Sequence, residues 1–168
     1  MSEKQKISVL MSVYIKENPT FLKDAIESVQ NQTLKPSELV LVEDGPLTPE
    51  LYQVLDQLEA ESDIPVKRYP LEHNQGLGLA LRQGVLQCQY DIIARMDTDD
   101  IAVPDRFEKQ VQLMEKDKLD LLGGHIAEFI DNPDEIVSYR RVPTQHADIV
   151  AYQRMRSAFN HMTVMFKK

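Results

Sequence analysis

The sequence predicts an α/β domain built on a mostly parallel sheet with helices on both faces. Three observations carry this. Short, apolar, β-rich runs alternate with helically spaced ones along the chain. Several strand runs are apolar almost throughout, the pattern of strands buried on both faces. Polar residues collect where those runs end, at the edge where open α/β sheets bind ligands.

Taken in order, "ISVLMSVY" (7–14) is a near-continuous apolar strand. After Asn18-Pro19, residues 20–32 place Phe21, Leu22, Ala25, Ile26 and Val29 at helical spacing. "ELVLVEDG" (38–45) is a second strand ending in Glu43, Asp44 and Gly45. Residues 47–61 form a helix, with Thr48 as N-cap, Pro49 at the first position and Leu51, Leu55 and Leu58 on one face. "VKRYPL" (66–71) reads as a third strand, residues 74–88 as a helix opened by glycines, and "DIIARM" (91–96) as a fourth strand. A helix over 104–116 turns Phe107, Val111 and Met114 inward. Residues 119–131 read as a strand bent at Gly123-Gly124, 144–156 as a late helix and 161–168 as a last strand. No repeat, low-complexity tract or long linker interrupts this single domain, 1–168.

The totals narrow the function classes. A chain of 168 residues with 42% hydrophobic content is long and apolar enough for a sizeable core. Its 27 acidic against 19 basic residues leave a net charge of -8, with no basic stripe, so a nucleic-acid partner is not expected. One cysteine, Cys88, allows no disulfide framework or zinc spacing and suits a reducing, cytoplasmic setting. No window approaches the roughly 20 apolar residues that span a bilayer.

Charge then concentrates in "RMDTDD". Along an extended backbone Asp97 and Asp99 point to one side, about 6–7 Å apart. At an effective dielectric near 20 each such pair costs on the order of 2–3 kcal/mol. A divalent cation reverses that sign, and Mg²⁺ or Mn²⁺ takes a few carboxylates together with substrate phosphates. The cluster therefore predicts a cation site able to hold a diphosphate. A helix cap by Asp99 or Asp100 is the plain alternative, though capping needs one aspartate and not three. An EF-hand reading has acidic residues at Asp97, Asp99, Asp105 and Glu108 but puts Ile101 and Ala102 where a ligand and a glycine belong. Glycosidases draw their carboxylates from separate elements. Neither a phosphate-binding loop nor G-x-G-x-x-G is present: Gly76 and Gly78 are followed by Gly84.

"ISVLMSVY", "SVQNQT", "ELVLVEDG", "NQGLGLALRQGV", "RMDTDD" with "PDRFEKQV", and "NHMTVMFKK" stand in the order and spacing of family-2 glycosyltransferases. The chain resembles that family over essentially its whole length. "VEDGPLTPELYQVL" is similar to bacterial exopolysaccharide enzymes related to amylovoran biosynthesis. The resemblance implies the GT-A nucleotide-diphospho-sugar transferase fold, a Rossmann-like sheet, and inverting transfer from a nucleotide sugar, UDP-linked by preference, to a saccharide or lipid-linked acceptor. It implies a nucleotide site at Ser12, Tyr14, Glu17, Asp44, Asn74, Gly76, Gly78 and Asp97. It puts the D-x-D cation ligands at Asp97 and Asp99, Asp100 in support, and His161 toward the sugar or the ion. Plainer readings stand beside these: Tyr14 as a strand-end core residue, Asp44 as a turn former, the glycines as packing points, and His161 as structural.

Two departures matter. The family's Pro-x-Tyr-Asn is here Ser12-Val13-Tyr14-Ile15, without the asparagine. The family's catalytic base falls beyond the last strand, hence beyond Lys168. The expectation is a donor-binding N-terminal part of a longer enzyme, poorly active alone, cytoplasmic and peripheral to the inner membrane face when complete. A non-catalytic nucleotide-sugar binding module and a nucleotidyltransferase are the alternatives.

Overall fold

The computed structural model describes residues 5–168. Strand β1 (Ile7–Val13) is buried at all seven positions, as its near-continuous apolar run predicts. Helix α1 (Pro19–Gln30) follows, opened by Asn18, whose side chain accepts from the Thr20 amide at 2.8 Å. Then come β2 (Glu38–Glu43), α2 (Pro49–Glu61), β3 (Val66–Pro70), α3 (Leu77–Gln87) and β4 (Ile92–Arg95). Thr48 caps α2 as expected, accepting from the Leu51 amide at 3.3 Å.

The rest of the chain comprises α4 (Arg106–Asp117), β5 (Leu121–Leu122), β6 (Ile126–Glu128), β7 (Ser138–Arg140), α5 (His146–Gln153), a 3-10 turn (His161–Thr163) and β8 (Met165–Lys167). Six strands form one sheet in the order β3-β2-β1-β4-β8-β5. The first four are parallel. β8 runs antiparallel between β4 and β5.

Side-chain alternation along β1 and β2 divides the core. Ile7, Val9, Met11, Val13, Leu39 and Leu41 face α1, α2 and α4, packing on Leu22, Val29, Leu55, Phe107 and Met114. Leu10, Val40, Val42 and Ile93 face the other way, toward Ala80 of α3. Helices thus cover both faces, three on one and α3 alone on the other. A Cβ on Gly84 of α3 would lie 2.4 Å from Leu10 Cδ1 and 2.8 Å from Val42 Cγ2, so this glycine sets the approach of helix to sheet.

The departures from the expected elements lie after β4. α4 starts at Arg106, two residues later than expected. The run 119–131 is not one bent strand: β5 belongs to the main sheet, while β6 pairs with β7 in a separate hairpin. The break falls at Gly123, where a Cβ would meet Phe159 Cδ1 at 2.7 Å, and at Gly124, whose amide donates to Thr163 Oγ1 at 2.8 Å. The run 161–168 opens as the 3-10 turn, because Thr163 Oγ1 donates back to the Asn160 carbonyl at 2.8 Å. Only its last part is strand. β7 is exposed at all three positions and has no apolar face to announce it. α5 buries no residue and is shorter than its expected run.

Replacing Gly84 with valine should lower stability by about 1–3 kcal/mol through overpacking. The urea midpoint should fall with the slope unchanged. Gly78→Ala, where an added Cβ meets nothing within 4 Å, should hold or raise the midpoint.

Candidate functional site

β1 lies between β2 and β4, all parallel, so their carboxyl ends share one edge. From β1 the chain runs outward through β2 to β3, then crosses back to β4 on the far side. That reversal opens a crevice at the carboxyl ends of β1 and β4, the usual ligand position in such sheets. Glu17, Asp97, Asp99, Asp100 and His161 gather there.

The aspartates do not converge by strand alternation. β4 ends at Arg95, and Thr98-Asp99 form a turn. The turn folds the segment back, so one carboxylate oxygen from each of Asp97, Asp99 and Asp100 lies within 4.8 Å of the others. Asp99 is exposed and its two neighbours are partly buried. None of them caps α4, which starts after Asp105. The capping alternative therefore does not hold.

Part of the counter-charge is built into the protein. Arg95, 3% exposed, forms an ion pair with Asp97. Its contact is not aligned as a hydrogen bond, and Nε and both Nη atoms are buried without hydrogen-bond partners. Arg106 donates from Nη2 to the Arg95 carbonyl at 2.7 Å and from Nε to Gln110 Oε1 at 3.0 Å. Burial lowers the Arg106 pKa to about 10, against the opposing pull of Asp100. The sequence allows Arg95 to pair with a neighbouring acid but assigns it no role. The fold supplies two guanidinium groups beside the carboxylates.

The offset is incomplete. Burial, then the charges of Asp97 and Asp99, raise the Asp100 carboxyl to about 6, and its Oδ2 is buried without a partner. Glu17 is raised as well, first by burial and then by Asp99 and Asp97, while Thr98 opposes the shift. His161 is lowered by burial and by Arg95, with Asp97 opposing. An oxygen-rich cluster that still carries repulsion suits a hard divalent cation.

A second group forms beside it. Asp44 is 3% exposed, and its Oδ1 and Oδ2 accept from the amides of Gln75 (2.7 Å) and Gly76 (3.0 Å). Asn74 Nδ2 donates to the Asp44 carbonyl at 3.2 Å. Asp44 is thus more than a turn former: it ties the end of β2 to the loop that opens α3. Gly45 makes this approach possible. Its φ is +87°, and a Cβ there would lie 2.6 Å from the Asn74 nitrogen. Gly76 is the residue preceding α3, and Gly78 lies just inside it without close contacts. Of the three glycines in this run only Gly84 serves close packing. Ser12 is buried on the α3 side of β1, while the Tyr14 ring is exposed, so Tyr14 is not a core residue.

Sequence reasoning missed the clamp that fixes the loop after the aspartates. Gln32, 3% exposed, donates from Nε2 to the carbonyls of Ser28 (3.0 Å) and Val103 (2.8 Å) and accepts the Phe107 amide on Oε1 at 3.1 Å. Ser28 Oγ accepts the Ala102 amide at 3.0 Å, and the Thr33 amide reaches the Pro104 carbonyl at 2.8 Å. The available signal was the polar Gln32 at the end of an apolar helical face. Past this loop, a cleft of about 440 Å³ opens beside Asp99 and Asp100, lined also by Phe21, Ile126, Phe129 and Met162. Tyr14, Asp44 and Asn74 lie outside its lining.

Comparison with known proteins bears on the family and the fold. The model of glycosyl transferase family 2 matches residues 8–168. An uncharacterised glycosyltransferase of Haemophilus influenzae is 51% identical over 97% of this chain and 61% of its own length. The amylovoran biosynthesis glycosyltransferase AmsE of Erwinia amylovora is 43% identical over 96% of this chain and 59% of its own. The Escherichia coli UDP-Gal:alpha-D-GlcNAc-diphosphoundecaprenol beta-1,3-galactosyltransferase is 40% identical over 97% and 58%. The chain thus spans about 60% of the length of these curated relatives. The mannosyltransferase PcManGT of Pyrobaculum calidifontis, solved with GDP-Man and Mn²⁺, superposes with a TM-score of 0.70 at 14% identity, over 99% of this chain and 45% of that one. The expected GT-A sheet is the sheet found.

Two outcomes follow from the site's packing and charge. Gln32→Leu strands the Phe107 amide and the Val103 carbonyl and should cost on the order of 2–4 kcal/mol, measured by thermal and urea unfolding. Asp100→Asn should stabilise the cation-free chain at pH 7.5. The native pKa of Asp100, about 6, lies above that of an unfolded aspartate, so the fold disfavours its ionised form. The gain should shrink as pH falls through 6 and vanish near 4. Urea midpoints across that range test it.

Proposed function

This chain belongs to glycosyl transferase family 2, and from that membership we propose that it carries the donor-binding part of an inverting, cation-dependent sugar transferase of exopolysaccharide biosynthesis. The observation that carries the reading is the convergence of Asp97, Asp99 and Asp100 at the sheet's ligand-binding edge.

In this reading Asp99, the exposed member, and Asp97 hold Mn²⁺ or Mg²⁺, with Asp100 supporting them. When bound, the cation neutralises the diphosphate and the charge that grows on the departing nucleoside diphosphate. The chain's own residues do the rest of the donor's positioning. Tyr14 presents an exposed ring on which a base stacks. Ser12, near the end of β1, and Glu17, in the loop that follows, flank it in this reading. The Asp44–Gly76 linkage holds a backbone wall, with Asn74, along the nucleotide. His161, near Arg95 and Asp97, serves the sugar side in this reading. Ligated carboxylates are weak bases, so none of the three aspartates takes the acceptor's proton.

The cleft beside Asp99 and Asp100 is the acceptor side of this proposal, since it touches the cation ligands and not the nucleotide residues. Its apolar and charged lining suits a saccharide or a lipid-linked saccharide. Among the described residues no helix is long and apolar enough to cross a membrane. A lipid-linked acceptor would bring the enzyme to the inner face of the membrane from the cytoplasm.

Calorimetry with UDP and Mn²⁺ tests the donor half. Binding should depend on the cation. Asp99→Asn should weaken it by more than the roughly 10–100-fold that losing a supporting residue costs a metal site. GDP in a parallel titration tests the preference for uridine. No heat with any nucleoside diphosphate, with or without metal, overturns the proposal.

A further inference from the structure

One deeply buried charged side chain at the crevice belongs to neither proposed group of ligands. Arg95 is the last residue of β4, and alternation along the strand puts it on the face of Ile93, toward α3. Its backbone is held on both sides: the amide donates to the Val164 carbonyl at 2.8 Å, and the carbonyl accepts from Arg106 at 2.7 Å. The guanidinium is buried, has no hydrogen-bond partner and makes one ion pair, with Asp97. A buried guanidinium with unmatched donors is unfavourable for the fold taken alone. Asp97 stands two residues on, the spacing that returns to the same side of an extended chain.

We infer that Arg95 is a positioning residue: it holds the Asp97 carboxylate toward Asp99 and Asp100, so that the cation ligands converge before an ion arrives. The inference rests on the cation reading above. It is separable by sign from a bulk charge effect. A positive charge near a cation repels it, so an Arg95 that acted only through its charge would weaken cation binding, and its removal would tighten it. An Arg95 that orients Asp97 has the opposite consequence.

The test is titration of Mn²⁺, alone and with UDP, followed by the loss of the free-ion electron paramagnetic resonance signal. Arg95→Met should weaken Mn²⁺ binding at least tenfold, as loss of a ligand-orienting residue does in other metal sites. Arg95→Lys keeps the charge but not the planar fork, and should bind more weakly than wild type and more tightly than Arg95→Met. Leu58→Ala, a destabilised control in α2, should keep the wild-type affinity. Affinity in Arg95→Met equal to or tighter than wild type overturns the inference and leaves the cation reading standing. A wild-type chain that takes up no Mn²⁺ in either condition takes down both. If Arg95→Met does not fold, Arg95→Lys decides: unchanged affinity means a charge effect only, and the inference fails.

Discussion

Crowded negative charge is the constraint around which the carboxyl edge of this sheet is arranged. Asp97, Asp99 and Asp100 share one small volume, and Glu17 faces them from the loop after β1. Like charges so placed separate unless something holds them. Two guanidinium groups, that of Arg95 buried and that of Arg106 partly buried, offset part of that charge. Arg95 pairs with Asp97, and Arg106 lies near Asp100 while bonding the end of β4. Burial first, and then repulsion from Asp97 and Asp99, raises the Asp100 carboxyl, and in the proposed function the repulsion left over favours a doubly charged ion.

The surrounding fold keeps this arrangement in place from several directions. α1 and the residues just past it reach the loop after the aspartates through Ser28 and Gln32. The 3-10 turn meets α4 through Gln110, whose Nε2 donates to the Thr163 carbonyl at 2.8 Å. Asn160 ties the same turn to Gly124 at 2.9 Å. On the other side, Arg68 neutralises Glu43 at 2.6 Å and bonds Asp56 at 2.6 Å, which turns Glu43 toward α2 and leaves Asp44 to the α3 loop. Adjacent acidic residues at the end of β2 thus do separate jobs.

Periodicity carried the reading as far as β4. Strands buried on both faces and helices with one apolar face leave patterns in residue type, and the first seven elements are where those patterns place them. Beyond β4 the reading weakens for a physical reason. β5, β6, β7 and β8 are two or three residues long, too short for alternation to register. α5 buries nothing, so its apolar residues mark no face. In the site, the acidic cluster was legible because carboxylates are conspicuous at the end of an apolar strand. Gln32 and the role of Arg95 were not. Their meaning lies in what they touch, and Gln32's partners Val103 and Phe107 stand more than seventy positions away along the chain.

By itself the sequence determined the α/β class, the parallel strands and the family, together with the residues at the strand ends, since all of these follow from local pattern and the identity of side chains. Only the tertiary structure decided how the aspartates meet, by a turn and not by strand alternation, and which buried groups hold them there. A side chain's type is written in the chain. Its counter-charge and hydrogen-bond partners are chosen by packing between segments far apart in sequence, and no local pattern encodes that choice.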